Sequence, residues 1–216
     1  MRVVSFLNEL VESSKSENDF LTKIFDLTSD FICSNKDFRL LSLDDRSNFL
    51  RNIAENVTCI HLILCWHQAK QIEHGQLFKN IVLKYYGENI TTNFDRLVRL
   101  FHFDIILRKL AVSIFAFSIN TTIVSSNFNI KSVDTSMISR IQNGYIEILW
   151  NYLIDTYGYL QAIQHYNSIT QCLSLTTNII NEMQSNLRHS NDMNFLIEKI
   201  ELKLILDDLE HSEETR

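Results

Sequence analysis

Proline is absent from all 216 residues of this chain, and glycine occurs only at Gly75, Gly87, Gly144 and Gly158. These two residue types supply most tight turns and inter-domain linkers, proline by fixing φ and glycine by admitting positive φ. A chain almost without them reverses direction rarely, which favours long helices joined by short polar breaks. Apolar residues make up 45% of the sequence, enough to bury a substantial core, and no internal repeat divides the chain. The expectation is one all-α domain over residues 1–216.

The formal net charge of -6 leaves no broad positive field to attract nucleic acid by counterion release, so direct DNA binding by this chain is not expected. Cys33, Cys59, Cys65 and Cys172 form no CxxC pair, which argues against a zinc module or a short redox motif and for reduced, buried thiols. Val3, Val4, Phe6, Leu7, Leu10 and Val11 are interrupted by polar residues, as in an amphipathic helix and unlike the unbroken apolar core of a secretion signal. The longest apolar run, Val57 to Trp66, is about half the roughly 20 residues that a membrane span needs, so no membrane anchor is expected. Without a secretory route, the Asn-x-Thr triplets at Asn56, Asn89 and Asn120 carry no weight as glycosylation sites.

Helical periodicity begins at Phe20 and continues through Leu21, Ile24, Phe25, Leu27, Thr28, Phe31 and Ile32, up to a polar stop at 34–37. Ser42 followed by Asp45 resembles a capping box, and it opens a helix continuing towards Ile72 whose middle, 57–66, is apolar nearly all round. Such a segment belongs at the centre of a layered bundle. The stretch LFKNIVLKYYGEN is rich in Val, Ile and Tyr and reads as a short β-hairpin ending at Gly87. Helical spacing returns at Phe94, Leu97, Val98 and Phe101 and again from Asp104 to Ile119, and a polar loop comes next over Asn120 to Lys131. Asp134 opens a helix with a stripe from Ile138 to Leu153, closed by Gly158, and another runs through Ile169, Leu173, Thr176, Ile180, Met183 and Leu187. After His189-Ser190-Asn191-Asp192 a separate short amphipathic piece is expected, with 201–216 as its extension and a polar tail.

No catalytic or metal centre is written in these residues. The pairs Asp44-Asp45 and Asp207-Asp208 are similar to the magnesium-binding acids of helical prenyl-transfer enzymes, but the positions four after Asp44 and Asp207 are Asn48 and His211. His61 and His165 lack Asp, Glu or Cys neighbours at ligand spacing, and no nucleophile motif or Gly-rich phosphate loop is present.

The order of elements, with its local motifs, resembles the ligand-binding domain of nuclear receptors of the retinoid X type. Phe38, Leu41, Leu43, Asp44, Asp45, Phe49, Leu50 and Arg51 reproduce the signature joining that family's third and fourth helices, with Arg46 in place of the usual Gln. Phe94-Asp95-Arg96 and the run from Phe101 to Phe117 look like the sixth and seventh helices. IQNGYIEILWNYL is similar to the ninth, and HYNSITQCLSLTTNI to the tenth. Phe195 to Ile200 resembles the terminal activation helix. Three positions depart from the pattern: Lys199 stands where an apolar residue is usual, Cys33 where the clamping lysine is usual, and Cys65 where a carboxylate-binding arginine is usual.

The resemblance implies a three-layer antiparallel helical sandwich in a nuclear protein that regulates transcription and is not an enzyme. A coregulator's leucine-rich helix would lie between the third, fourth and terminal helices, with Arg51, Lys36, Phe195, Leu196 and Glu198 as its contacts. Arg51 would meet the C-terminal carbonyls of that helix and Glu198 its N-terminal amides. Leu21, Ile24, Ala54, Thr58, Leu62, Phe94, Leu97 and Met183 would line a pocket for a small lipid-like ligand, with no cofactor and no metal. Leu173 would lie on a homo- or heterodimer face. A ligand-independent helical scaffold or dimerisation protein is the alternative that shares this fold.

Overall fold

Of the ten residues from Val57 to Trp66, nine are buried and Leu64 is half-buried in the computed structural model, which describes residues 17–71, 75–100, 104–119 and 134–214. They form the middle of α3 (Leu43–Gln71). Its start behaves as the sequence indicates: the Asp45 N–H donates to Ser42 Oγ at 3.1 Å, and Ser42 Oγ donates to the Asp45 carboxylate at 2.7 Å. A helix without a polar face needs neighbours on every side. α3 has them in α1 (Glu17–Ser34), α4 (Gly75–Leu100), α5 (Ile105–Ala116), α7 (Tyr159–Gln184) and α8 (Leu187–Glu214). A one-turn α2 (Lys36–Arg39) links α1 to α3, and α6 (Thr135–Tyr157) packs between α5 and α7. The described residues are all-α and contain no strand.

Two expectations are corrected. The stretch read as a β-hairpin is the first half of α4, with non-helical backbone at Gly87 (φ 84°, ψ 179°). Phe78, Ile81, Val82 and Tyr85 are all buried, and their spacing of three, four and seven places them on one helical face, so the 3.6 period outweighs the β-forming character of Val, Ile and Tyr. That face meets α1 and α3, with Phe20 and Phe78 edge to face at 4.9 Å and the Trp66 and Phe78 ring centroids 5.6 Å apart. Gly87 therefore makes a kink within a helix, not the end of a hairpin.

The second correction concerns the C-terminal region. His189–Asp192 is not a break before a separate short helix, because α8 starts earlier, at Leu187, and runs through all four residues. Asn186 Oδ1 accepts from the N–H groups of Arg188 (3.0 Å) and His189 (3.3 Å) and so caps the helix. The helix continues to Glu214, and Leu204, in the expected extension, is 7% exposed.

The helix expected to reach Leu187 stops at Gln184, so Leu187 opens α8 instead, and α5 stops at Ala116, short of Ile119; the ends marked by Asp104, Asp134 and Gly158 agree with the sequence. Asp134 Oδ1 accepts from Ser136 N and Met137 N, and Asp104 Oδ1 from Ile106 N and Leu107 N. Gly158 (φ 75°) ends α6 and opens α7, its N–H bonded to Ile154 O at 2.9 Å. The amphipathic stretch over residues 3–11 and the loop over 120–131 lie outside the described residues.

Candidate functional site

Three polar links orient α3 against its neighbours. Asn52 and Asn56 both donate to Ser118 O at 2.8 Å, beyond the end of α5. Thr58 and His61 meet Thr28 of α1 at 3.4 and 3.1 Å. Glu55 Oε2 lies 2.8 Å from His189 Nε2 of α8, and His189 Nδ1 lies 3.3 Å from Tyr86 Oη of α4. A buried polar group without its partner is costly, so these contacts fix the rotation of α3 about its axis. Burial lowers the His61 pKa to about 4, which keeps the ring neutral.

The Glu55–His189 link ties α8 to α3, and α8 lies in the channel between α1 and α3. It runs parallel to α1, with Lys199 paired to Asp26 at 2.5 Å and Lys203 to Asp30 at 2.9 Å. It runs antiparallel to α3, where Arg51 bonds Asn194, Ser47 bonds Glu201 at 3.4 Å and Arg46 bonds Asp208 at 3.1 Å. Met193, Leu196, Ile200 and Leu204 form the inner face, packed on a cluster that includes Ile32, Phe38, Phe49, Leu50 and Ile53.

α8 has a second apolar stripe. Phe195, Leu202, Ile205 and Leu209, with Glu198 between the first two, succeed one another at alternating intervals of three and four residues. Phe195 is 68% exposed and Leu209 56%. Such spacing lines up one side of a helix for contact with another helix. Beside it lies a groove of about 290 Å³ between α3 and α8, walled by Leu43, Leu50, Leu204 and Ile205 and rimmed by Arg46, Glu201 and Asp208. Leu43 is itself 69% exposed.

The structure thus brings Arg51, Phe195, Leu196 and Glu198 to one region, in different settings. Arg51 is half-buried, bonded to Asn194 and 3.7 Å from Glu55 Oε1. Leu196 faces inward and Phe195 and Glu198 outward, while Lys36 is exposed at the start of α2. Lys199 is paired with Asp26 of α1. Of the eight pocket candidates, Leu21, Ile24, Leu62, Phe94, Leu97 and Met183 pack in one core cluster and Ala54 in the other, and Thr58 is buried at the α1 contact. Leu173 is half-buried against the core. Asp207 and Asp208 pair with Arg39 at 2.5 and 3.4 Å, so that acidic pair is a structural tie.

Burial pushes the pKa of all four free cysteines up, Cys172 to about 12, so they stay as thiols. Among the described residues, no group of three or more His, Cys, Asp or Glu side chains could hold a metal ion, and no helix is long and apolar enough to cross a membrane.

Sequence reasoning missed the roles of Glu55 and His189. One signal was available: Glu55 is a charge set among apolar positions of the most buried helix, a placement that requires a partner. Nothing local pointed to His189, which is 134 residues away. Compared with known proteins, the chain matches no family model, no curated protein and no solved structure.

Proposed function

We propose that this chain is the regulatory, ligand-binding-type domain of a nuclear receptor, a three-layer antiparallel helical sandwich that controls transcription in the nucleus by engaging a coregulator's leucine-rich helix or a dimer partner. The observation that carries the reading is the two-faced α8. Its inner stripe fills the channel between α1 and α3, and its outer stripe, with the α3–α8 groove beside it, stays exposed. A partner helix approaching these elements meets Phe195, Leu202 and Ile205 as apolar anchors and Leu43 across the groove. Glu198, exposed within the stripe, is then set to meet the amides at the partner's N-terminus.

The close packing of the eight pocket candidates favours a constitutively folded domain over one that requires a lipid to complete its core. It also keeps the ligand-independent scaffold as a second reading. Native mass spectrometry of the purified protein separates the lipid-filled form from the others by the presence of a co-purified lipid.

The test of recruitment is binding of a fluorescent leucine-motif peptide, measured by anisotropy. Glu198→Ala is expected to weaken binding about two- to fivefold, the effect of losing an exposed charge at a helix end. Leu202→Asp, at a side chain 60% exposed, is expected to abolish binding with the fold intact. If the unsubstituted protein ignores every such peptide, or binds as tightly after both changes, the recruitment reading fails.

A further inference from the structure

Trp66 of α3 lies 5.6 Å from the Phe78 ring and 5.8 Å from the Phe94 ring, centroid to centroid, whereas a straight helix would hold residues 78 and 94 about 24 Å apart. α4 therefore folds back at Gly87 (φ 84°) into two arms, and positions equally distant from that glycine come level with each other. A cleft of about 510 Å³ opens between the arms, lined by Lys79 and Leu83 of the first and by Glu88, Thr91, Thr92 and Arg96 of the second. Its volume lies within the range of small-molecule sites.

Acceptors gather at one end of this lining and donors at the other. Thr91 is 2% exposed and its hydroxyl donates to Gly87 O at 2.6 Å, while the Thr92 hydroxyl donates to Glu88 O at 2.9 Å. A hydroxyl has one proton and two lone pairs, so both oxygens keep acceptor capacity, and the Glu88 carboxylate beside the turn adds acceptors only. Lys79 and Arg96, eight and nine residues from Gly87, contribute donors only. Among the described residues neither has a polar partner, whereas Arg99 and Asp95 of the same lining pair with each other at 3.3 Å. Leu83, 42% exposed, supplies an apolar surface between the two ends.

We propose that this cleft binds a phosphorylated polyol of about hexose size. Its phosphate meets Lys79 and Arg96 from opposite arms, a doubly charged group matched by two cations, one of them a guanidinium that bonds two oxygens at once. Its hydroxyls donate to Thr91, Thr92 and Glu88, and its C–H face lies on Leu83. An apolar ligand would leave the cations and the acceptors without partners, and an anion without hydroxyls would use one end only. The site shares no residue with the outer stripe of α8 or the α3–α8 groove and does not depend on the receptor reading.

Isothermal titration calorimetry of the full chain tests the assignment with glucose 6-phosphate, fructose 6-phosphate and myo-inositol 1-phosphate, and with glucose and inorganic phosphate as controls. At least one of the three esters is expected to bind saturably, more tightly than either control, and to shift the Leu83 methyl resonances. Lys79→Ala and Arg96→Ala, both at exposed positions, are each expected to raise its Kd at least about tenfold, as loss of a charge-assisted contact does. Thr92→Val, which keeps the shape without the hydroxyl, is expected to raise it about threefold. Arg140→Ala, exposed on α6, is expected to leave it unchanged. No saturable binding of any ester, equal or tighter binding of glucose or inorganic phosphate, unmoved Leu83 methyls, or an unchanged Kd in Lys79→Ala, Arg96→Ala or Thr92→Val each overturns the proposal. Binding of the leucine-motif peptide reads α3 and α8, so either result stands without the other.

Discussion

Glu55 Oε2 and His189 Nε2 are 2.8 Å apart, and both side chains are 1% exposed. This contact ties the central helix to the first turn of α8 in a setting where water cannot replace a lost partner. His189→Ala leaves the Glu55 carboxylate buried with Arg51 as its remaining neighbour, and is expected to cost about 3 kcal/mol of stability. Replacing both residues with leucine removes the stranded charge and is expected to recover most of that loss. Urea denaturation of the two variants measures it, and a loss below about 0.5 kcal/mol in the single variant contradicts it.

The two faces of α8 are expected to respond differently to truncation. Leu196→Ala removes a side chain 1% exposed and is expected to cost about 2 to 5 kcal/mol. Phe195→Ala, one residue away but 68% exposed, is expected to stay within about 0.5 kcal/mol. Thermal unfolding of the pair tests whether the helix is seated as described.

His61 makes stability depend on pH. Burial lowers its pKa from 6.5 to about 4 in the folded protein, whereas the unfolded chain takes up the proton near 6.5. Between these values the unfolded state binds more protons, so stability is fully present above about pH 6.5 and declines as pH falls towards 4. The full decline is about 3 kcal/mol. Comparing denaturation at pH 7 and pH 4.5 for the protein and for His61→Gln isolates it: the variant is expected to lose distinctly less over that interval.

Glycine positions separate backbone need from space. Gly87 and Gly158 have φ of 84° and 75° with nothing within 4 Å of an added Cβ, so alanine there meets conformational strain alone, about 1 to 3 kcal/mol. Gly144, inside α6 and equally open, is expected to gain about 0.5 to 1 kcal/mol as alanine. Melting temperatures of the three variants check both signs.

Much of the helix framework was legible because its causes are local. Asp104, Asp134 and Gly158 mark helix ends through bonds to groups within four residues, and a period of 3.6 shows in the order of apolar residues. The stretch before Gly87 was misread because its Val, Ile and Tyr suit a strand as well as a buried helix face. Only the packing of Phe78 on Phe20 and Trp66 selects between them. The start of α8 was placed too late because Asn186, its cap, was hidden among other polar residues.

The sequence alone determined that the chain is helical, that 57–66 lies innermost, and that Phe195 to Ile200 has an amphipathic pattern. Hydrophobic periodicity and capping act over a few residues, so they survive in a linear reading. The tertiary structure decided that α8 fills the channel between α1 and α3, that Arg51 bonds Asn194, and that Arg188 lies on Tyr85. These relations join residues 103 to 173 positions apart. They exist because burying one stripe of α8 fixes its rotation, and that rotation determines which charges meet across the channel.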